Sequence, residues 1–168
     1  MGYKTSIQWT QSTWNPWAGC TKVSPGCTRC YAEAIMHRWR RDFSTVTRAS
    51  HNSFYVPLSW KRPRLVFTCS MSDFFHKQAD QWRAEAWTIM KLTPQHTYQV
   101  LTKRPGLAVA WYKTHGWLSN VWLGTSVESQ KYAPRIDVLA RVPAKVRFIS
   151  AEPLLGPLRL IPYLFCCA

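Results

Sequence analysis

Long apolar runs are missing from this sequence of 168 residues. No segment approaches the roughly 20 consecutive apolar residues that a transmembrane helix requires. Residues 1–5 also lack the apolar stretch that is typical of a secretory signal peptide. We therefore expect a cytoplasmic protein that does not span a membrane.

Acidic residues are scarce. Eight Asp and Glu stand against 22 Lys and Arg, which gives a formal net charge of +14. Such an excess favours polyanionic partners. The ten tryptophans add aromatic surface on which bases could stack. We expect nucleic acid or a nucleotide as partner or substrate, and the alternative is a basic surface without a specific partner.

The six cysteines are unevenly distributed along the chain. Three lie within residues 20–30, Cys69 stands alone, and two more are adjacent at positions 166 and 167. Clustered cysteines in a cytosolic protein more often bind metal than form disulfides. The distribution therefore favours a metal site over three disulfide bonds.

From residue 65 onward, strand-like and helix-like segments alternate. Short apolar runs predict four strands, at residues 65–70, 98–102, 121–126 and 146–151. The helical segments between them are predicted at 78–91, from Pro105 onward, and at 130–141. Repeated βα units indicate an α/β fold with a parallel sheet, either open or closed into a barrel.

The front of the chain supplies a fifth unit. Residues 6–9 are predicted to form the first strand and residues 31–41 a helix, with the cysteine cluster between them. Residues 42–64 are polar and basic, and we expect an irregular excursion there. The prediction is one domain over residues 1–168, with about five βα units.

Polar side chains follow each predicted strand from residue 65 onward. The carboxyl ends of parallel strands form the functional edge of such sheets, so these side chains are expected to share one cavity. The alternative is that they cap helices or form solvated turns. The candidate residues are Ser70, Asp73, Lys103, Arg104, Glu128 and Glu152.

The cysteine loop has the spacing C-x6-C-x2-C, formed by Cys20, Cys27 and Cys30. Gly19 and the Pro25-Gly26 pair allow the backbone to turn tightly around a small inorganic group. Thiolates are soft ligands, which suit an iron–sulfur cluster, zinc or cuprous copper.

The number of cysteines separates these metals. Structural zinc needs four ligands, and a fourth would have to come from His37, Cys69 or a terminal cysteine. A [4Fe–4S] cluster held by three cysteines leaves one iron without a protein ligand, and that iron is able to bind a cofactor or substrate. The count favours the cluster, and zinc stays open as the alternative.

Several motifs together resemble one family, the phage-associated radical-SAM-like proteins of unassigned function. The resemblance spans essentially the whole chain. Besides the cysteine triplet, the motifs that carry it are Trp14-Asn15-Pro16, Cys30-Tyr31-Ala32-Glu33, Ser70-Met71-Ser72-Asp73, Leu101-Thr102-Lys103-Arg104-Pro105, Val121-Trp122-Leu123-Gly124 and Ser150-Ala151-Glu152-Pro153-Leu154-Leu155-Gly156-Pro157.

The resemblance implies a partial (βα) barrel with a [4Fe–4S] cluster after the first strand. S-adenosylmethionine would bind the open iron, and with an electron donor it would yield a 5′-deoxyadenosyl radical that abstracts hydrogen from the substrate. The cofactors carry this chemistry, and the protein positions them. The strand-end residues would then contact the cofactor, while no catalytic residue is assigned.

The sequence also departs from the radical-SAM pattern. The usual spacing is C-x3-C-x2-C, Arg29 stands where an aromatic residue usually precedes the last cysteine, and no Gly-Gly-Glu follows the second strand. The family's further strand and its Gly-Gly-Glu-Ser-Gly segment have no counterpart, so we expect the domain to be incomplete at its C-terminus. The alternative function is a non-catalytic, metal-stabilised nucleic-acid-binding module or an inactive truncated remnant.

Overall fold

A computed structural model describes residues 5–164 and is centred on a five-stranded sheet. Its strands are β1 (Ser12–Trp14), β4 (Leu65–Thr68), β5 (Thr97–Thr102), β6 (Val121–Ser126) and β7 (Arg147–Ser150). They lie side by side in this order, and all neighbouring strands are parallel. The predicted α/β class with a parallel sheet is confirmed. Within residues 5–164 the sheet is open, with β1 and β7 at its edges.

The main core lies where helices cover one face of the sheet. Tyr98 and Val100 of β5 and Leu123 of β6 are fully buried in one cluster with helix residues such as Met90 and Ala108. Apolar side chains at alternate strand positions place these residues on the same face. The longer helices are α1 (Tyr31–Arg38), α3 (Asp80–Leu92), α4 (Pro105–His115) and α5 (Arg135–Ala140).

The excursion between α1 and β4 is partly regular. It contains β3 (Thr47–Arg48), the short helix α2 (His51–Phe54) and a 3-10 turn at Val56–Ser59. β3 pairs antiparallel with β2 (Trp17–Ala18), which lies immediately before the cysteine loop. The pairing of β3 with β2 therefore stabilises the backbone at the start of that loop. A last short helix, α6, spans Ile161–Leu164.

The first strand lies later than predicted. Residues 6–9 form bends and turns, and β1 begins at Ser12. Trp14 rather than Trp9 is the buried anchor, because its side chain is fully buried and its Nε1 donates to the Phe54 carbonyl at 3.0 Å. Trp9 is 44% exposed. The predicted helix at 130–141 is also divided into a 3-10 turn, Gln130–Tyr132, and α5.

The helices found within residues 5–164 are all too short or too polar to cross a lipid bilayer.

Candidate functional site

Four cysteines line one cavity of about 130 Å³, here called the cysteine cavity. Cys20, Cys27 and Cys30 are half-buried, Cys69 is buried, and all four thiols are free. The other lining residues used below are Ser70, Asp73, Leu101, Lys103, Arg104 and Ser126. The three predicted metal ligands therefore share a cavity with four of the six predicted cofactor-binding residues.

Backbone contacts hold the start of the cysteine loop. Gly19 has φ +104°, and a Cβ there would lie 2.4 Å from the Thr45 carbonyl oxygen. Only glycine fits this position without strain. The Gly19 amide donates to the Met71 carbonyl at 3.0 Å, and the Cys20 amide donates to the Phe43 carbonyl at 2.7 Å. These contacts place the Cys20 side chain beside the strand ends.

The other two thiols are placed by short helical elements. A 3-10 turn over Pro25–Cys27 positions Cys27, and Cys30 is the N-terminal cap residue of α1. Gly26 is buried within the turn, and a Cβ there would lie 3.0 Å from Glu128 Cδ. The turn therefore packs directly against the residue that follows β6.

The Asp73 carboxylate connects the ends of β4 and β5 beside the cavity. It accepts hydrogen bonds from Thr102 Oγ1 at 2.8 and 2.9 Å and from the Lys103 amide at 3.1 Å. It also accepts from the Phe75 amide at 2.9 Å and forms an ion pair with Arg104 Nη1 at 3.0 Å. Charge-assisted contacts of this kind fix geometry firmly. Asp73 thus closes its own turn and also ties the loop after β4 to the end of β5.

Arg104 extends this network to the cysteine loop. Its Nη1 lies 3.5 Å from Cys20 Sγ, and its Nη2 donates to the Thr21 carbonyl at 2.8 Å. Burial raises the pKa of the Cys20 thiol, and the Arg104 guanidinium acts in the opposite direction. A cation at this position stabilises negative charge on the sulfur, which is the state in which a thiol binds metal.

Ser70 and Lys103 also occupy the cavity wall. Ser70 shares hydrogen bonds with the Asn15 side chain at 3.0 and 3.2 Å, and Asn15 Oδ1 also accepts from the Met71 amide at 3.0 Å. Lys103 Nζ donates to Ser126 Oγ at 3.2 Å. Contacts among the ends of β1, β4, β5 and β6 therefore surround the thiols.

The two predicted glutamates lie elsewhere. Glu128 is fully buried behind the cysteine loop, where its Oε2 pairs with Arg135 Nη1 at 2.8 Å. Glu152 is exposed and lines a separate, larger cavity. The expectation that both would face the cavity of the other strand-end residues was wrong. A position directly after a strand predicts that the residue lies at the edge of the sheet. The direction of its side chain depends on the turn that follows.

Cys69 was considered in the sequence only as one possible fourth ligand of zinc, and the structure places it in the cavity wall. It follows β4 directly and has φ +63°, a conformation that turns the chain sharply at the cavity. Two further residues of the site were missed. Asn15 and Thr102 were missed because their roles depend on partners far away in sequence.

Comparison with known protein families identifies the family of the chain. Residues 4–163 match a family described as a protein of unknown function, DUF5131. The chain belongs to the DUF5131 family. No curated protein and no solved structure matches it.

The thiols of this DUF5131 chain do not form a ready-made metal group. Among residues 5–164, no three His, Cys, Asp or Glu side chains are grouped closely enough to hold an ion. Three half-buried thiols nevertheless share one cavity with the Arg104 guanidinium, and soft thiolates suit an iron–sulfur cluster, zinc or cuprous copper alike. For any of these groups to bind, the loop would have to draw its sulfurs together, which would couple binding to local folding.

Proposed function

We propose that this chain is a radical-SAM-like iron–sulfur protein that acts on a nucleic acid or nucleotide. The observation that carries the proposal is that Cys20, Cys27 and Cys30 line one cavity at the carboxyl edge of a parallel sheet. In this proposal the five strands are the first part of a partial (βα) barrel. The cluster and S-adenosylmethionine, when bound, supply the radical chemistry.

The chain's own residues provide the remaining functions of such a site. The three cysteines hold the cluster, and Arg104, 3.5 Å from Cys20 Sγ, offsets the negative charge of the thiolates. Ser70 and Lys103, on the wall of the same cavity, offer polar groups to the carboxylate and amine of a bound cofactor. Asp73 holds Arg104 in place and is a positioning residue.

The test is anaerobic purification followed by reconstitution with iron and sulfide. We expect about four irons per chain and a visible absorption band that changes when S-adenosylmethionine is added. Substituting Cys20, Cys27 or Cys30 by Ser should abolish iron retention. Zinc in place of iron, or no metal at all, would overturn the proposal.

The second candidate is a zinc-stabilised nucleic-acid-binding module, and Cys69 is the observation that favours it. Four cysteines around one cavity match the ligand number of structural zinc. Cys69→Ser separates the two candidates. In the iron–sulfur proposal Cys69 is not a ligand and the variant keeps its iron, whereas in the zinc proposal the same variant loses its metal.

A further inference from the structure

A second and larger cavity adjoins the cysteine cavity. Its volume is about 600 Å³, within the range of roughly 300–1,000 Å³ that is typical of small-molecule sites. Leu101 lines both cavities. The residues that matter below are Trp9, Gln99, Trp122, Phe148 and Glu152, and we call this space the aromatic cavity.

Aromatic rings form much of the wall of the aromatic cavity. The Trp9 ring lies 6.4 Å from the Phe148 ring and 4.6 Å from Phe67, which in turn lines the cysteine cavity. The Phe148 ring lies directly against the backbone of Gly124, where an added Cβ would be 2.3 Å from Phe148 Cε2. Gly124 thus lets the Phe148 ring lie close to the sheet. These rings offer stacking surface to a flat ligand.

Gln99 places a buried amide beside these aromatic rings. Its side chain is nearly completely buried, and its Nε2 donates to the Trp9 carbonyl at 3.3 Å. A carbonyl only accepts, so this bond orients the amide with Oε1 on the other side. Within residues 5–164, Gln99 Oε1 has no hydrogen-bond partner. A buried acceptor without a partner is costly, and a ligand that donates an N–H would remove that cost.

The charge of the chain indicates what kind of flat ligand fits. The formal net charge is +14, which favours a ligand that carries phosphate. Glu152, the charged residue in the lining, is exposed and suits the hydroxyl groups of a ribose. A base with an N–H donor, attached to a sugar and a phosphate, matches the stacking surface, the free acceptor and the positive charge together.

We propose that the aromatic cavity binds an unpaired nucleobase, which stacks on Trp9 and Phe148 and donates an N–H to Gln99 Oε1. The inference rests on the proposed function, because it places the base of the substrate on the far side of Leu101 from the cysteine cavity. The base belongs either to a free nucleotide or to a single strand, which share this chemistry.

The experiment is calorimetric titration of the full chain with AMP, with a twelve-residue single-stranded oligo(dA), and with ribose 5-phosphate, which lacks a base. We expect both base-containing probes to bind and ribose 5-phosphate not to bind. Gln99→Met should weaken AMP binding about tenfold, the loss of roughly one hydrogen bond. Its melting temperature should change little, because the substitution removes the partnerless Oε1 and also the Nε2 bond to the Trp9 carbonyl.

Trp9→Ala should also weaken binding, whereas the matched variant Trp39→Ala should not, since Trp39 is 58% exposed and lies outside the cavity lining. The proposal is overturned if ribose 5-phosphate binds as tightly as AMP, or if a folded Gln99→Met variant binds AMP as the parent chain does. Tighter oligonucleotide binding with a steep salt dependence would identify a strand as the source of the base.

The same titration before and after iron reconstitution separates this inference from the proposed function. Base binding by a chain that never retains iron would overturn the iron–sulfur proposal and leave the aromatic cavity as a base site. Iron retention without base binding at any stage would overturn the base site in the aromatic cavity and leave the iron–sulfur proposal standing.

Discussion

Gly26, in the middle of the cysteine loop, lies directly against the carboxylate of Glu128. A Cβ on Gly26 would lie 3.0 Å from Glu128 Cδ and 3.1 Å from its Oε1. Glu128 has little freedom to move, because it is fully buried and paired with Arg135 at 2.8 Å. The loop that carries the thiols is therefore seated on the residue that follows β6, about a hundred positions later in the chain.

Gly26→Ala should destabilise the protein by about 1–3 kcal/mol, because the new methyl group overpacks against a carboxylate that cannot retreat. The free energy of unfolding is measured by urea denaturation. Gly106→Ala is the matched control, since nothing lies within 4 Å of a Cβ at that position in α4. The control should be neutral or slightly stabilising. Equal stability of both variants would show that the space between Gly26 and Glu128 accommodates a methyl group.

Glu128→Gln should cost about 3–5 kcal/mol of unfolding free energy, because it leaves the Arg135 guanidinium without its counter-charge in a buried setting. The side chains of this pair are 0% and 12% exposed. The comparison is Glu33→Gln, which removes the pair with Lys22, where the side chains are 25% and 52% exposed. That variant should lose about 0–1 kcal/mol. A similar loss in both would contradict a special role for the buried pair.

Cys69 should react most slowly with iodoacetamide among the four described cysteines of the metal-free chain. Its side chain is 2% exposed, and burial raises its thiol pKa well above the ordinary value, which lowers the thiolate fraction. Cys20, Cys27 and Cys30 are half-buried. Alkylation is followed residue by residue by mass spectrometry. Fast labelling of Cys69 under native conditions would show that the cavity opens readily.

Stability should fall as the pH drops below about 6.5, the ordinary histidine pKa. Burial lowers the pKa of His96, and the Arg64 guanidinium acts in the same direction. The His96 ring also packs near Trp60 and Tyr98, at 5.7 and 6.2 Å. Because the unfolded chain binds the proton more readily, the contribution of His96 is fully present above pH 6.5 and is lost on acidification.

The measurement for His96 is the urea midpoint between pH 5 and pH 8. His96→Gln should flatten the acidic part of this profile, and His76, whose pKa burial also lowers, should retain some of the slope. An unchanged profile in the variant would assign the acid sensitivity to other groups.

The sequence predicted the sheet best where strands are buried on both faces. The segment Thr97–Thr102 is a short run rich in strand formers, and the structure has a strand there. The first strand was misplaced because β1 has only three residues, too few for a periodic pattern. Trp9 and Trp14 are both bulky aromatics near the start of the chain, and only tertiary packing decides that Trp14 enters the core.

The same reasoning located part of the site. Asp73 and Arg104 follow strands that neighbour each other in the sheet, so their meeting at 3.0 Å follows from the strand-end rule. The same rule applies to Cys69, which directly follows β4 and which the sequence offered only as a possible fourth zinc ligand. The direction of Glu128 could not be predicted, because it depends on Arg135 and on the cysteine loop packing from the other side.

The contacts of the cysteine loop determine when this loop is able to fold during synthesis. Cys20 is held by Phe43, Gly19 by Met71, and Gly26 rests on Glu128. During synthesis the thiols leave the ribosome before the segments that carry these supports. The loop therefore gains its final shape only after Phe43, Met71 and Glu128 have been translated. Any metal would be captured in its final setting only after most of the sheet has been synthesised.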